Sequence, residues 1–155
     1  MIIREVSPYD DPLGGELLAL QRAAYAVEAE LIGDDRIPPL HESLDELRAQ
    51  RLRWMAATSD DAGSGRVAGA VAWEEGDGEV DINRLVVHPS AARRGIGRAL
   101  VQEVLARAGG RRVVVATGRD NVPARRLYEG LGFTLLGESE VIPELWIVNY
   151  AYHPH

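Results

Sequence analysis

Between Val80 and Phe133 the chain passes twice from an apolar run through a breaker into a helical pattern, and the first passage leaves the fewest choices. Leu85, Val86 and Val87 form an apolar strand that Pro89 stops; a basic turn with Arg93, Arg94 and Gly95 follows. Ile96, Leu100, Val104 and Leu105 then recur at helical spacing. Glycines at 95 and 97 let backbone N–H groups come close to a ligand, and the first turn of a helix adds unpaired donors and the positive end of its dipole. Arg93, Arg94 and Arg98 raise the field further, so the turn reads as a site for a phosphate or pyrophosphate. The same residues also suit an ordinary tight turn beside a solvated arginine face. Two other phosphate loops are excluded: the chain has no lysine for G-x-x-x-x-G-K-[ST], and the third glycine of G-x-G-x-x-G falls on Leu100.

The second passage runs Asn121, Val122, Pro123, Ala124, then Tyr128, Gly132 and Phe133. Ile82-x-x-Leu85-x-Val87-x-Pro89, Gly95-x-Gly97, Asn121-x-x-Ala124-x-x-x-Tyr128 and Gly132-Phe133 together resemble the GCN5-related N-acetyltransferase (GNAT) superfamily, over about a third of the chain. The resemblance implies acyl-coenzyme A as cofactor, with the backbone of Leu85, Val86 and Val87 along the pantetheine arm. It places Arg93, Arg94, Gly95, Ile96, Gly97 and Arg98 at the pyrophosphate, and Asn121, Ala124 and Tyr128 against the cofactor. It departs in one place: the family's loop usually starts with Gln or Arg three residues before the first glycine, where this chain has Ala92. The missing side-chain contact would pass to Arg93 or Arg94.

Composition narrows the chemistry. With no cysteine there is no disulfide, thiolate metal site or cysteine acyl-enzyme. No apolar run reaches the length of a membrane span, and Met1 to Glu5 is charged too early for a signal peptide, so a soluble cytoplasmic protein of one domain over residues 1–155 is expected. The net charge of −7 is unevenly spread: residues 1–90 carry 8 Arg and 18 acids, residues 91–155 carry 9 Arg and 6 acids. An acidic first half suits a cationic small molecule or a basic peptide and argues against nucleic acid, although acids also serve solubility alone.

In chain order, Ile2 to Val6 is a strand, and Leu13, Leu17, Leu20, Ala24, Val27 and Leu31 mark one face of a helix closed by Gly33. Glu28 lies about 60° from the middle of that face, at the edge of burial. It is a candidate to bind a cation or relay a proton, and equally an edge residue that keeps its carboxylate in water. After a loop, a short helix starts near Glu42; the resemblance puts Asp34, Asp35, His41 and Glu42 on the acceptor side. Strands at Trp54 to Thr58, Val67 to Trp73 and Val80 to His88 are joined by turns at Ser59 to Gly65 and Glu75 to Gly78. Further strands are expected at Arg112 to Ala116, Phe133 to Leu136 and Leu145 to Tyr150, and a helix from Pro123 capped by Asp120 or Asn121. The architecture is thus a mixed, mostly antiparallel α/β sheet of about six or seven strands with helices on both faces. The resemblance adds a splay after the fourth strand into which the cofactor enters.

The function implied is transfer of an acetyl group from acetyl-coenzyme A to a primary amine by direct attack in a ternary complex. Tyr128 is the expected general acid, since a phenol can protonate a thiolate of similar basicity; Glu28 and Asp81 are the candidate bases. Glu28, Asp34 and His41 are the candidate acceptor contacts, with a small cationic amine as acceptor. A protein N-terminus as acceptor and a non-catalytic acyl-coenzyme A-binding module remain alternatives. A serine hydrolase is excluded by the absence of G-x-S-x-G. No metal is expected: His153 and His155 lack a third ligand at a frayed end. The apolar run from Leu145 completes the sheet or lies at a homodimer contact.

Overall fold

The computed structural model describes residues 1–58 and 66–154; the expected turn at Ser59 to Gly65, and His155, lie outside the described residues. Seven strands form one mixed sheet in the order β1-β2-β3-β4-β5-β7-β6. They are β1 (Ile2–Val6), β2 (Arg53–Thr58), β3 (Val67–Glu75), β4 (Glu79–Val87), β5 (Arg112–Gly118), β6 (Thr134–Ile142) and β7 (Leu145–Tyr152). Helices α1 (Leu13–Ile32) and α2 (Leu44–Ala49) cover one face, and α3 (Ile96–Ala108) and α4 (Val122–Gly130) the other. Their cores are correspondingly two. Leu17, Leu20 and Leu47 pack on Trp54, Ala70, Ala72 and Val86; Ile96, Leu100, Val101 and Val104 pack on Met55, Val71, Ile82 and Val115.

Local signals explain most boundaries. Ser43 accepts from the Glu46 N–H while Glu46 accepts from the Ser43 N–H, a reciprocal cap that starts α2. Asn121 Oδ1 accepts from the Ala124 N–H at 3.3 Å, with Pro123 in the first turn of α4. β6 differs from expectation, running on to Ile142 rather than stopping at Leu136. It is the edge strand and exposed nearly throughout, so Glu138, Ser139 and Glu140 need no apolar alternation; pairing with β7 decides its length.

Among the described residues only β4 and β5 run parallel, and they pair from Glu79↔Arg112 to Ile82↔Val115. Beyond that point β4 stays with β3 and β5 with β7, so the sheet opens into a wedge. A bulge marks the parting: Ala72 faces Arg84 while Trp73 faces Ile82, leaving Asn83 as the extra residue. Before it, Val80 and Ile82 face α3; after it, Leu85 and Val87 do, while Val86 turns to α1. The second half of α1 lies over this wedge. The apolar face expected there therefore divides: Leu17 and Leu20 are buried, but Val27 and Leu31 stay 42% and 45% exposed, beside the opening rather than in the core.

Candidate active site

At the mouth of the wedge, β4 ends in a short 3₁₀ turn, Pro89–Ala91, whose entry is held by the His88 Nδ1 accepting from the Ser90 N–H at 3.1 Å. The chain then turns into α3 through two left-handed residues, Arg93 at φ 66° and Gly95 at φ 77°. A left-handed backbone costs a β-carbon-bearing residue about 1–2 kcal/mol, which is why a glycine stands at the N-cap. The alternation of handedness turns successive N–H groups to one side, and the first turn of α3 adds its own unpaired donors. Gly95, Ile96, Gly97, Arg93 and Arg98 line the resulting groove with Leu127 and Pro123 opposite. Its walls suit a phosphate at one end and an apolar arm at the other.

Backbone polarity along the groove follows from the ladder. The His88 N–H donates to the Ala68 carbonyl at 2.8 Å, so by antiparallel alternation Val86 and Arg84 also turn their backbone groups to β3. Leu85 and Val87 turn theirs to the wedge, where β5 has departed. An extended amide chain laid there would complete a ladder, as an added strand does.

Deeper in the wedge, the groove shares a wall with a second cavity of about 250 Å³. Tyr25, Glu28, Leu85, Asn121 and Ala124 border both. The Tyr128 ring is buried, edge-on to Phe133 with centroids 5.4 Å apart, and Tyr128 lines the second cavity. Among the described residues nothing hydrogen-bonds its hydroxyl. Burial, reinforced by Tyr25 and Glu28, pushes its phenol well above the ordinary tyrosine value, so it keeps its proton. Tyr25 is raised likewise, mainly by burial and then by Glu28. Glu28 reaches this place because β5 ends in Gly118: a β-carbon there would stand 2.9 Å from Ile32 Cγ2 and 3.5 Å from Glu28 Oε1. Glycine lets the end of α1 settle onto the strand.

Two arginines brace the second cavity. Arg84, its side chain 5% exposed, gives Glu42 two bonds of 2.5 and 3.0 Å and gives Gln21 one of 2.9 Å; its Nε–H donates to Asn83 Oδ1 at 2.9 Å. A buried guanidinium so bonded holds the bulge of β4 to α1 and the α2 approach. Arg36 clasps Asp34 at 2.6 Å and donates to the Pro143 carbonyl at 2.9 Å, tying the segment after α1 to the β6–β7 turn. That clasp holds the Asp34 carboxyl down to about 2.

The structure brings together Leu85, Val86, Val87, Arg93, Gly95, Ile96, Gly97, Arg98, Asn121 and Ala124 in the groove, and Glu28 and Tyr128 at the wall beyond. It does not bring four others. Arg94 lines neither cavity; Arg93 and Ala92 of the same turn line the groove instead. Asp81 of β4 sits opposite Glu74 and outside both cavities, because it alternates with Ile82, which takes the α3 face and lines the second cavity. Burial and then the Glu74 and Glu79 carboxylates raise its pKa there. Asp34 faces an outer hollow and is already paired with Arg36. The His41 Nε2–H donates to the Asp35 carbonyl at 2.7 Å, away from the cavity. Sequence reasoning passed over Tyr25, Arg36 and Arg84. Gln21, Tyr25, Glu28 and Ile32 do recur at helical spacing, a second stripe beside the apolar one that signals what faces the wedge.

Comparison with known proteins agrees with this geometry. Residues 17–133 match the model of the Acetyltransferase (GNAT) family. The chain is 38% identical over 119 residues to the UPF0157 protein YqkA of Bacillus subtilis, covering 76% of this chain and 34% of that protein. It is 34% identical over 113 residues to a mycothiol acetyltransferase of Mycolicibacterium gilvum, covering 72% and 37%. The chain thus spans about a third of the length of these relatives. A PaiA N-acetyltransferase of Thermoplasma acidophilum, crystallised with coenzyme A, shares the fold at a TM-score of 0.74 and 16% identity, covering 97% of this chain and 98% of that one. With a family model spanning both the groove and the wall that carries Tyr128, the chain belongs to the Acetyltransferase (GNAT) family.

Proposed function

We propose that this chain is an acyl-coenzyme A-dependent N-acetyltransferase that acetylates a primary amine by direct attack. One observation carries the reading: the Glu28 carboxylate stands at the wall where a groove suited to an anion meets a second cavity, and the buried Tyr128 phenol lines that cavity. The residues fit acetyl-coenzyme A. Left-handed Arg93 and Gly95 with the first turn of α3 suit the pyrophosphate, and the unpaired edge of Leu85 and Val87 suits the amides of the pantetheine arm. Acetyl-coenzyme A supplies the acetyl group as a thioester.

The chain's own groups then have distinct work. Glu28 attracts the acceptor ammonium and takes its proton, directly or through a water, leaving the neutral amine. The wedge-facing N–H groups of β4 offer donors to a carbonyl oxygen that gains charge as the C–N bond forms. As the C–S bond breaks, Tyr128 Oη gives its proton to the departing thiolate, and the second proton shed by the newly acylated nitrogen restores the phenol; its raised pKa keeps Tyr128 protonated before the step. No covalent enzyme adduct is needed, and no cysteine exists to form one.

A non-catalytic acyl-coenzyme A-binding module would need neither an acid nor a carboxylate at the shared wall, and their presence favours transfer. The test is direct because the chain has no thiol of its own: a thiol reagent reads only released coenzyme A. Acetyl-coenzyme A should bind by calorimetry, and thiol release should depend on added primary amine, with the acetylated amine seen by mass spectrometry. Tight binding with no amine-dependent thiol release across a broad amine panel would replace the enzyme with the binding module.

A further inference from the structure

The second cavity says more about its occupant than that it carries an amine. Ile32, Ile37, Pro38, Val141, Leu145 and Ile147 supply an apolar wall from α1, the segment after it and the β6–β7 hairpin. Three side chains with formal charge line the same space: Glu28, Arg36 and Arg84. Both arginines are already neutralised, Arg84 by Glu42 at 2.5 Å and Arg36 by Asp34 at 2.6 Å. Glu28 has no ion pair among the described residues. The remaining carboxylates of the neighbourhood, Glu30, Asp34, Asp35 and Glu144, gather at an outer hollow that shares only Arg36 with the cavity. The acidity of the first half of the chain therefore lies outside the cavity rather than within it.

Resting on the acetyltransferase reading, we infer that the acceptor is a monocationic primary amine on an apolar, otherwise uncharged body, and neither a polyamine nor a free amino acid. One carboxylate balances one ammonium. A second ammonium in the cavity would meet isoleucine, leucine and proline instead of an anion, and a carboxylate would find no unpaired cation. Either would be desolvated without a partner, a cost that sets specificity against it.

The test uses three amines with one body and different ends: hexylamine, 1,6-diaminohexane and 6-aminohexanoate. With acetyl-coenzyme A at saturation, hexylamine should show kcat/KM about tenfold or more above either of the others. The same order should appear in calorimetric Kd values for the amines on protein loaded with coenzyme A. Leu145→Glu, which adds a carboxylate to the apolar wall, should raise kcat/KM and affinity for the diamine relative to hexylamine. A ranking preserved in Kd with no turnover of any amine would sink the acetyl-transfer reading and leave the inference standing. Equal or reversed preference, or no binding of any of the three, would overturn it, as would a Leu145→Glu protein whose preference does not move.

Discussion

The groove that suits the cofactor and the cavity that suits the acceptor adjoin, yet they are built in opposite ways. The polar side of the groove is made by backbone, one strand edge, one turn with left-handed residues and one helix start, all between Leu85 and Arg98, with α1 and α4 side chains as its outer walls. The cavity is made by side chains from α1, the segment after it, β4, β5, α4 and the β6–β7 hairpin, more than a hundred residues from end to end. A backbone site tolerates many side-chain changes around it and binds one invariant ligand; a side-chain site can be re-cut for a new acceptor without disturbing the first. The cost of the second design is that its braces also hold the fold.

That contrast can be broken at several points. The largest effect should come from the acceptor side: Glu42→Ala leaves Arg84 buried and unpaired, and chemical denaturation should show a loss of about 3–5 kcal/mol. The groove should behave oppositely. A β-carbon at Gly97 meets only ordinary contacts of 3.5–3.7 Å with Leu127, Val87 and Leu85. Gly97→Glu should therefore keep the denaturation midpoint while weakening acetyl-coenzyme A binding about 100-fold or more through like-charge repulsion, read by calorimetry. A groove mutant that unfolds, or a Glu42→Ala protein that does not lose stability, would erase the distinction.

Within the second cavity, Tyr128→Phe should lower kcat by roughly 100-fold or more while acetyl-coenzyme A affinity stays within about twofold. Lost affinity with unchanged kcat would move Tyr128 from chemistry to binding. Gly118→Ala should be milder: its β-carbon presses on Ile32 and nudges Glu28, so KM for the amine should rise severalfold with cofactor affinity unchanged, in steady-state kinetics against calorimetry. The smallest effect is on the alkaline limb of the pH profile. A tyrosine raised by burial keeps its proton, so kcat should climb as the amine loses its own and show no fall up to about pH 10.

The same contrast explains what could be read before the structure. Pro89, the glycine-bearing turn and the helix start lie within one stretch, and local physics decides them, so the groove was legible down to Leu85, Gly95 and Gly97. So were the strands that alternate cleanly and the caps at Gly33 and Asn121. Arg84 was not, because its meaning depends on Glu42 and Gln21, which are 42 and 63 residues away. Asp81 and Arg94 fail for a related reason. Each is the immediate neighbour of a lining position, but strand alternation or a left-handed turn decides which neighbour faces the wedge. The edge strand β6 was cut short because an exposed strand carries no periodic signal.

The bulge at Asn83 has a bearing on which length changes this chain can survive. Because β4 reverses its facing there, Ile82 and Leu85, three apart, both look into the wedge. Removal of one residue between them would restore even alternation with the same residues facing as now, and would erase the odd spacing that bends β4 where the sheet parts. Insertions at Gly76 to Gly78 or in the outer β6–β7 turn would leave that parity untouched. Descent of this site is therefore expected to show free variation of length in its hairpins and one extra residue kept between Ile82 and Leu85, a constraint that belongs to counting rather than to chemistry.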